Sequence, residues 1–275
     1  MSEKIQKILA NAGLASRREI EKWIAAGRIS VNGSIATLGD RATEKDTIRV
    51  DGNPVMLKAK DETYTRVIAY HKPLNEVSTA KDPQGRATVF DSLPRTKFGR
   101  WIGVGRLDIN TTGLLLFTNN GELAHKLMHP SYSVERRYAV RVFGEVTNDM
   151  LNNLKKGVLV DGDLCQFDKI IDKGGEGANH WYEVSLSEGK NREVRKLWQS
   201  QGVEVSRLIR VKYGPVELPT NLSRGRWIDL DAKAIDELAK VVELKVTARK
   251  EKPDQKRKEK GKFAWSKKKS SKPSR

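Results

Sequence analysis

Asp108 lies two residues beyond Arg106 in Gly103-Val104-Gly105-Arg106-Leu107-Asp108-Ile109-Asn110-Thr111-Thr112-Gly113, a polar run that leads into the apolar residues 114–117. It is the single carboxylate of that run, and the next acid is Glu122. A lone carboxylate suits nucleophilic or acid–base work on a base or a sugar. A two-metal phosphodiesterase needs several. A phosphate cradle fails too, because no Gly-Lys-Ser/Thr follows and Gly103-Val104-Gly105 opens no GxGxxG. The glycines at 103, 105 and 113 let the backbone turn tightly or approach a ligand. The same residues equally suit a loop whose Asp caps a turn, and spacing leaves both readings open.

Other chemistry-bearing residues are scattered. In Arg192-Glu193-Val194-Arg195-Lys196-Leu197, the stripe Val194, Leu197 and Trp198 faces a core and Arg195 leaves at another angle. An arginine keeps its charge when partly buried and pairs a carboxylate through two parallel hydrogen bonds. Tyr138 begins an alternating strand and, unaided, is a core or edge aromatic. His125 and His129 have metal-ligand spacing, but no third ligand is near and Pro130 adjoins them. Cys165 reads as a buried strand thiol.

The elements that must hold these residues fall into two units. In the first, Ile5, Ile8, Leu9 and Ala12 recur at helical spacing and Gly13 supplies a stop. Ser16-Arg17-Arg18-Glu19 is a capping box. Ile20, Trp23 and Ile24 give the second helix its apolar face, and Gly27 ends it. Asn32-Gly33 and Asp51-Gly52 are hairpin turns. Arg17, Arg18 and Lys22 lie off the apolar stripe, and Arg28 follows the helix. Residues 1–60 thus form helix, helix and small sheet, and 56–63 a linker. In the second unit, 64–245, strands are expected at 66–70, 114–117, 138–142, 181–186, 206–211 and 227–230, and a hairpin turn at Asp161-Gly162. His71-Lys72-Pro73 ends the first of these strands and reads as structural, with RNA contact as a second role. Helices are expected at 122–128, 148–155, 192–201 and 232–242, the last with Ile235, Leu238, Ala239 and Val242 in one stripe after an Asp231 cap. Strands and helices do not alternate as βαβ units, so an α+β fold with a largely antiparallel sheet is expected.

The chain has 275 residues and a formal net charge of +17. No apolar run approaches a membrane span, the first residues lack a secretion signal, and one cysteine excludes a disulfide scaffold. A reduced, cytoplasmic protein is expected. Residues 249–275 carry 13 Lys and Arg against three acids and have little to bury, so they read as a disordered basic tail. The body is basic as well, which favours a polyanionic partner.

Two resemblances sharpen this reading. Ala15-Ser16-Arg17-Arg18-Glu19, Ile24-Ala25-Ala26-Gly27-Arg28-Ile29 and Val31-Asn32-Gly33 resemble an S4 RNA-binding domain. That resemblance implies that Arg17, Arg18, Lys22 and Arg28 lie against RNA phosphates. Gly105-Arg106-Leu107-Asp108, with Thr112-Gly113-Leu114-Leu115 and Thr118-Asn119, resembles the catalytic motif of the small-subunit-type pseudouridine synthases. The similarity continues through 135–142, 188–197, 207–211 and 213–215. Asn120 stands where an acid is common in the family.

The second resemblance implies an α+β protein: a small N-terminal S4-like domain plus a larger catalytic domain with a mostly antiparallel mixed sheet and flanking helices. It implies isomerisation of uridine to pseudouridine in large-subunit ribosomal RNA, with no metal or organic cofactor. Asp108 is then the essential carboxylate, acting at the base or at the ribose, and Arg195 its cationic partner. Tyr138 stacks on the target base, Leu208 floors its pocket, and Arg106 fills the vacated place in the stack or binds the phosphate. The implied partner is ribosomal RNA within an assembly intermediate, met by a monomer in the cytoplasm and away from membranes. The alternatives are a synthase acting on small-subunit RNA and a noncatalytic S4-type assembly factor.

Overall fold

The computed structural model describes residues 2–43, 45–57 and 64–248. The basic stretch 249–275 and residues 58–63 of the expected linker lie outside the described residues.

The N-terminal unit runs β1 (Glu3–Lys4), α1 (Ile5–Asn11), α2 (Arg17–Ala25), β2 (Ile29–Val31), β3 (Ser34–Ile35), β4 (Arg41–Ala42), β5 (Ile48–Val50) and β6 (Asn53–Pro54). Ser16 Oγ caps α2 by accepting from the Glu19 amide at 3.2 Å. The Glu19 carboxylate faces Lys22 at 3.6 Å, so the cap is made from one side. Asn32 and Gly33 both take positive φ, as do Asp51 and Gly52, which matches the right-handed twist of the strands they join. β2 pairs β3 and β5, and β5 pairs β6. Ile5, Leu9, Ile20, Ile24, Ile29 and Ile48 form this unit's own core.

The larger unit is one nine-stranded sheet with helices on both faces. Its strands are β7 (Val67–Lys72), β8 (Ile102–Val104), β9 (Thr112–Thr118), β10 (Arg136–Phe143), β13 (Lys169–Glu176), β14 (Asn179–Leu186), β15 (Glu204–Tyr213), β16 (Val216–Glu217) and β17 (Trp227–Asp229). The order is β13-β14-β10-β15-β9-β7-β17, with β8 on β9 and β16 on β15. β11 (Val158–Val160) and β12 (Asp163–Cys165) make a separate hairpin. The helices are α3 (Gly121–Met128), α4 (Asn148–Lys156), α5 (Glu193–Gln199) and α6 (Ala232–Lys240). All pairings in the sheet are antiparallel except β15 with β9. The mostly antiparallel mixed sheet expected from sequence is therefore present.

β9 is buried along its whole length, as befits a central strand covered on both faces. Leu115 and Phe117 pack with α4 and α5 through Leu154, Leu197 and Trp198. Leu114 and Leu116 pack with α3 and α6 through Leu123, Leu127, Ile235 and Leu238. Asn120 caps α3 by accepting from the Glu122 and Leu123 amides. It also donates to Thr65 Oγ1 at 2.9 Å, which an acid in its place could not do. Packing continues to Ala248, which bridges to Thr65, three residues past the boundary expected at 245. Three strands of this sheet were not anticipated, β8, β13 and the two-residue β16.

Candidate active-site cleft

Strand register builds the site. Tyr138 on β10 is the partner of Arg210 on β15, and Arg210 is the partner of Gly113 on β9. Val140 pairs Leu208 one step further in. The β9–β15 crossing is close: Gly113 has φ +108°, and a Cβ there would stand 2.3 Å from the Arg210 carbonyl oxygen. Only glycine fits, so the backbone of β15 presses against the strand that carries the Asp108 loop.

The loop between β8 and β9 is held by its carbonyls. Ser78 Oγ donates to the Leu107 carbonyl at 2.7 Å. The Asn75 amide donates to Ile109 at 3.0 Å. Lys72 Nζ reaches the Thr111 carbonyl at 3.0 Å and that of Pro73 at 2.9 Å. Arg195 donates from Nη2 to Asn110 and from Nη1 to Val205, both at 2.9 Å. A turn closes between Asp108 and Thr111, whose amide donates back to the Asp108 carbonyl at 3.0 Å.

A cleft of about 860 Å³ opens beside this loop. Arg106, Asp108, Tyr138 and Leu208 all line it, so four of the expected site residues meet in one place. Arg210 and Thr111 join them there. Arg195 supports the wall from behind. Its fork is spent on two carbonyls, and no ion pair joins it to Asp108 within 4.0 Å; the parallel pairing expected from sequence is replaced by a hold on the loop backbone. Burial dominates and lowers Arg195 from its ordinary value, Arg192 adds to that, and the charge of Asp108 opposes it.

Lys72, read from sequence as structural with RNA contact as a second role, turns inward to hold the loop rather than outward. It is fully buried, and burial pulls its pKa down to about 8, against the opposing pull of Glu76 and Asp108. Lys72 and Arg195 therefore place two cations around a loop that bears one carboxylate. Arg210 was also missed. It is buried, donates from Nε to the Leu114 carbonyl at 2.8 Å, and leaves Nη2 without a partner. Arg210 and Arg136 each stand 5.1 Å from the Tyr213 ring centroid. Strand alternation was the available signal: Lys72 shares parity with Ile68 and Tyr70, and Arg210 with Leu208.

The remaining expected residues lie elsewhere. Arg17, Arg18, Lys22 and Arg28 are exposed on the N-terminal unit, outside the cleft. Lys22 faces Glu19. Arg28 is committed to Asp51 through two hydrogen bonds of 2.8 and 2.6 Å and covers Trp23. Arg17 and Arg18 make no ion pair among the described residues. Cys165 is buried, which raises its thiol pKa and disfavours a nucleophilic thiolate. His129 Nδ1 lies 2.8 Å from Ser131 Oγ, in a turn cap. No group of three His, Cys, Asp or Glu is gathered for a metal among the described residues, and no helix there is long and apolar enough to cross a membrane.

Comparison with known proteins gives the family. Residues 66–200 match the family described as RNA pseudouridylate synthase, and residues 3–48 match the S4 domain. The ribosomal large subunit pseudouridine synthase B of Yersinia pestis is 54% identical over 248 residues, covering 90% of this chain and 78% of its own length. That of Salmonella typhimurium (strain LT2) is 56% identical over 246 residues, covering 89% and 84%. That of Escherichia coli (strain K12) is 55% identical over 246 residues with the same coverage. A crystal structure of a pseudouridylate synthase shares the fold, with a TM-score of 0.60 at 23% identity over 86% of this chain and 99% of that one.

Proposed function

The chain belongs to the RNA pseudouridylate synthase family and carries an S4 domain, and from that premise we propose that it isomerises a uridine to pseudouridine in large-subunit ribosomal RNA. The observation that carries the reading is the cleft itself: the Asp108 carboxylate, the Tyr138 ring and the apolar Leu208, contributed by a loop and two adjacent strands, line a common space.

The reaction breaks the C1′–N1 bond, turns the base and forms C1′–C5. The C5 proton leaves and N1 gains one, so the atoms balance with no redox change. Asp108 acts as the carboxylate, on the base or on the ribose, with Lys72 and Arg195 holding the backbone of its loop. Tyr138 stacks on the everted base, which contributes about 1–3 kcal/mol. Leu208 closes the pocket beneath it. Arg106, exposed at the outer edge of the loop, takes the place the nucleotide leaves or holds its phosphate. Extruding the base costs about a few kcal/mol, and basic side chains on both units offset this through phosphate contacts. Arg28 must exchange Asp51 for phosphate to take part.

We assign 1–60 to the S4-like unit, 64–245 to the catalytic unit and 249–275 to a basic arm. One chain supplies Arg106, Asp108, Tyr138 and Leu208 to the cleft, and we take the acting unit to be a monomer. An everted base needs an RNA segment not yet packed, which supports an assembly intermediate in the cytoplasm as substrate. Mapping pseudouridines in ribosomal RNA from cells with and without the protein tests the reading. One large-subunit position should revert to uridine; an unchanged map contradicts it.

A further inference from the structure

Two glycines bring the N-terminal unit against the catalytic unit. Gly13, just past α1, has φ +91°, and a Cβ there would stand 2.7 Å from the Gly99 carbonyl oxygen. Gly99 has φ +63°, and its Cβ would stand 3.1 Å from the Asn11 carbonyl oxygen. The backbones meet with no side chain between them. Each glycine leads into an arginine: Arg100 adjoins Gly99, and Arg17 opens α2 four residues after Gly13.

Arg100 is half-buried, and its Nε is shut off from solvent with no hydrogen-bond partner. Among the described residues no carboxylate forms an ion pair with it. The charged group that it feels is Arg17, a second cation, which acts with burial to depress Arg100 below the ordinary arginine value. A partly desolvated guanidinium that faces a like charge and lacks an acceptor is costly. An arriving phosphate repairs every part of that cost, because it accepts from guanidinium forks and neutralises both charges.

We propose that Arg17 and Arg100 form one composite site for a single backbone phosphate of the bound RNA, assembled by the Gly13–Gly99 contact, so that both units grip the same stretch of strand. The proposal rests on the RNA-modifying reading above. It adds Arg100 to the binding surface and explains why the seam is built from two glycines.

The test measures affinity of the intact protein for a labelled large-subunit ribosomal RNA fragment over a range of KCl concentrations. Variants are Arg17→Gln, Arg100→Gln and the pair. Each single change should weaken binding about tenfold. The pair should weaken it far less than about a hundredfold and lower the salt slope by about one unit, because a single phosphate is lost. Multiplicative losses with a slope change of about two mean separate phosphates and overturn the proposal, as does unchanged affinity of the Arg100→Gln protein. Gly13→Val keeps both arginines but parts the seam, and should bind as weakly as the pair. If it fails to fold by circular dichroism, the arginine variants decide. Pseudouridine formation by the unaltered protein is scored in parallel. Turnover without coupled arginines overturns the composite site and leaves the function standing; coupled arginines without turnover do the reverse.

Discussion

The two faces of the nine-stranded sheet share the same strands and differ in how they treat polar atoms. Under α3 and α6 the packing is Leu114, Leu116, Leu123, Leu127, Ile235 and Leu238, and no buried side-chain nitrogen or oxygen there lacks a partner among the described residues. On the other face Thr111, Arg195 and Arg210 each hide a polar atom without one, in or behind the cleft wall. Buried polar groups are ordinarily satisfied, so the cleft face departs from the rule where a substrate is expected. Both faces carry a packed core, and the unpaired polar atoms gather on the one that also bears the cleft.

The largest effect is expected where the faces meet. Gly113→Val forces a left-handed residue to carry a Cβ into the Arg210 backbone, and should cost more than about 4 kcal/mol in urea unfolding. A loss under about 1 kcal/mol would show that the β9–β15 crossing does not set the site. Leu238→Ala, on the quiet face, should cost about 2–5 kcal/mol of stability and leave kcat unchanged well below the melting temperature. A parallel loss of kcat would erase the distinction between the faces.

That contrast also governs what could be read from sequence. The α6 stripe and its cap were legible because an amphipathic helix repeats its apolar residues, and Asp231 does accept from the Ala234 amide. β13 was not legible: an edge strand with Lys169, Asp172, Lys173, two glycines and a register shift between Asp172 and Gly175 shows no alternation. β8 has three residues and no pattern to show. In the cleft, spacing left Asp108 a turn former as easily as a reactant; the family motif singled it out, and the register of Tyr138, Arg210 and Gly113 brought its neighbours together. The burial of Lys72 was not foreseen because a lysine at a strand end before proline ordinarily reaches solvent, whereas this one is turned inward to two carbonyls.

Smaller effects sharpen the comparison on the cleft side. Tyr138→Leu removes the stacking ring and should cost about 1–3 kcal/mol in kcat/KM while shifting the melting temperature little. Equal losses in activity and stability would make Tyr138 a core residue like those on the far face. Lys72→Met should change the pH dependence of stability. With the folded pKa near 8 and an unfolded value of about 10.4, the unfolded chain binds more protons between these limits. Wild-type stability therefore gains from Lys72 as pH rises through that window, and all of the burial cost is present below it. The variant should lack this gain in urea midpoints measured across the window; an identical pH profile would place Lys72 in a solvated site.

The most direct test is single-turnover pseudouridine formation by Asp108→Asn, with RNA affinity and melting temperature measured on the same preparation. The asparagine keeps the shape of the loop and removes the charge. The account predicts no detectable isomerisation, RNA affinity within about twofold of the unaltered protein, and an unchanged melting temperature. Isomerisation at the unaltered rate would contradict it.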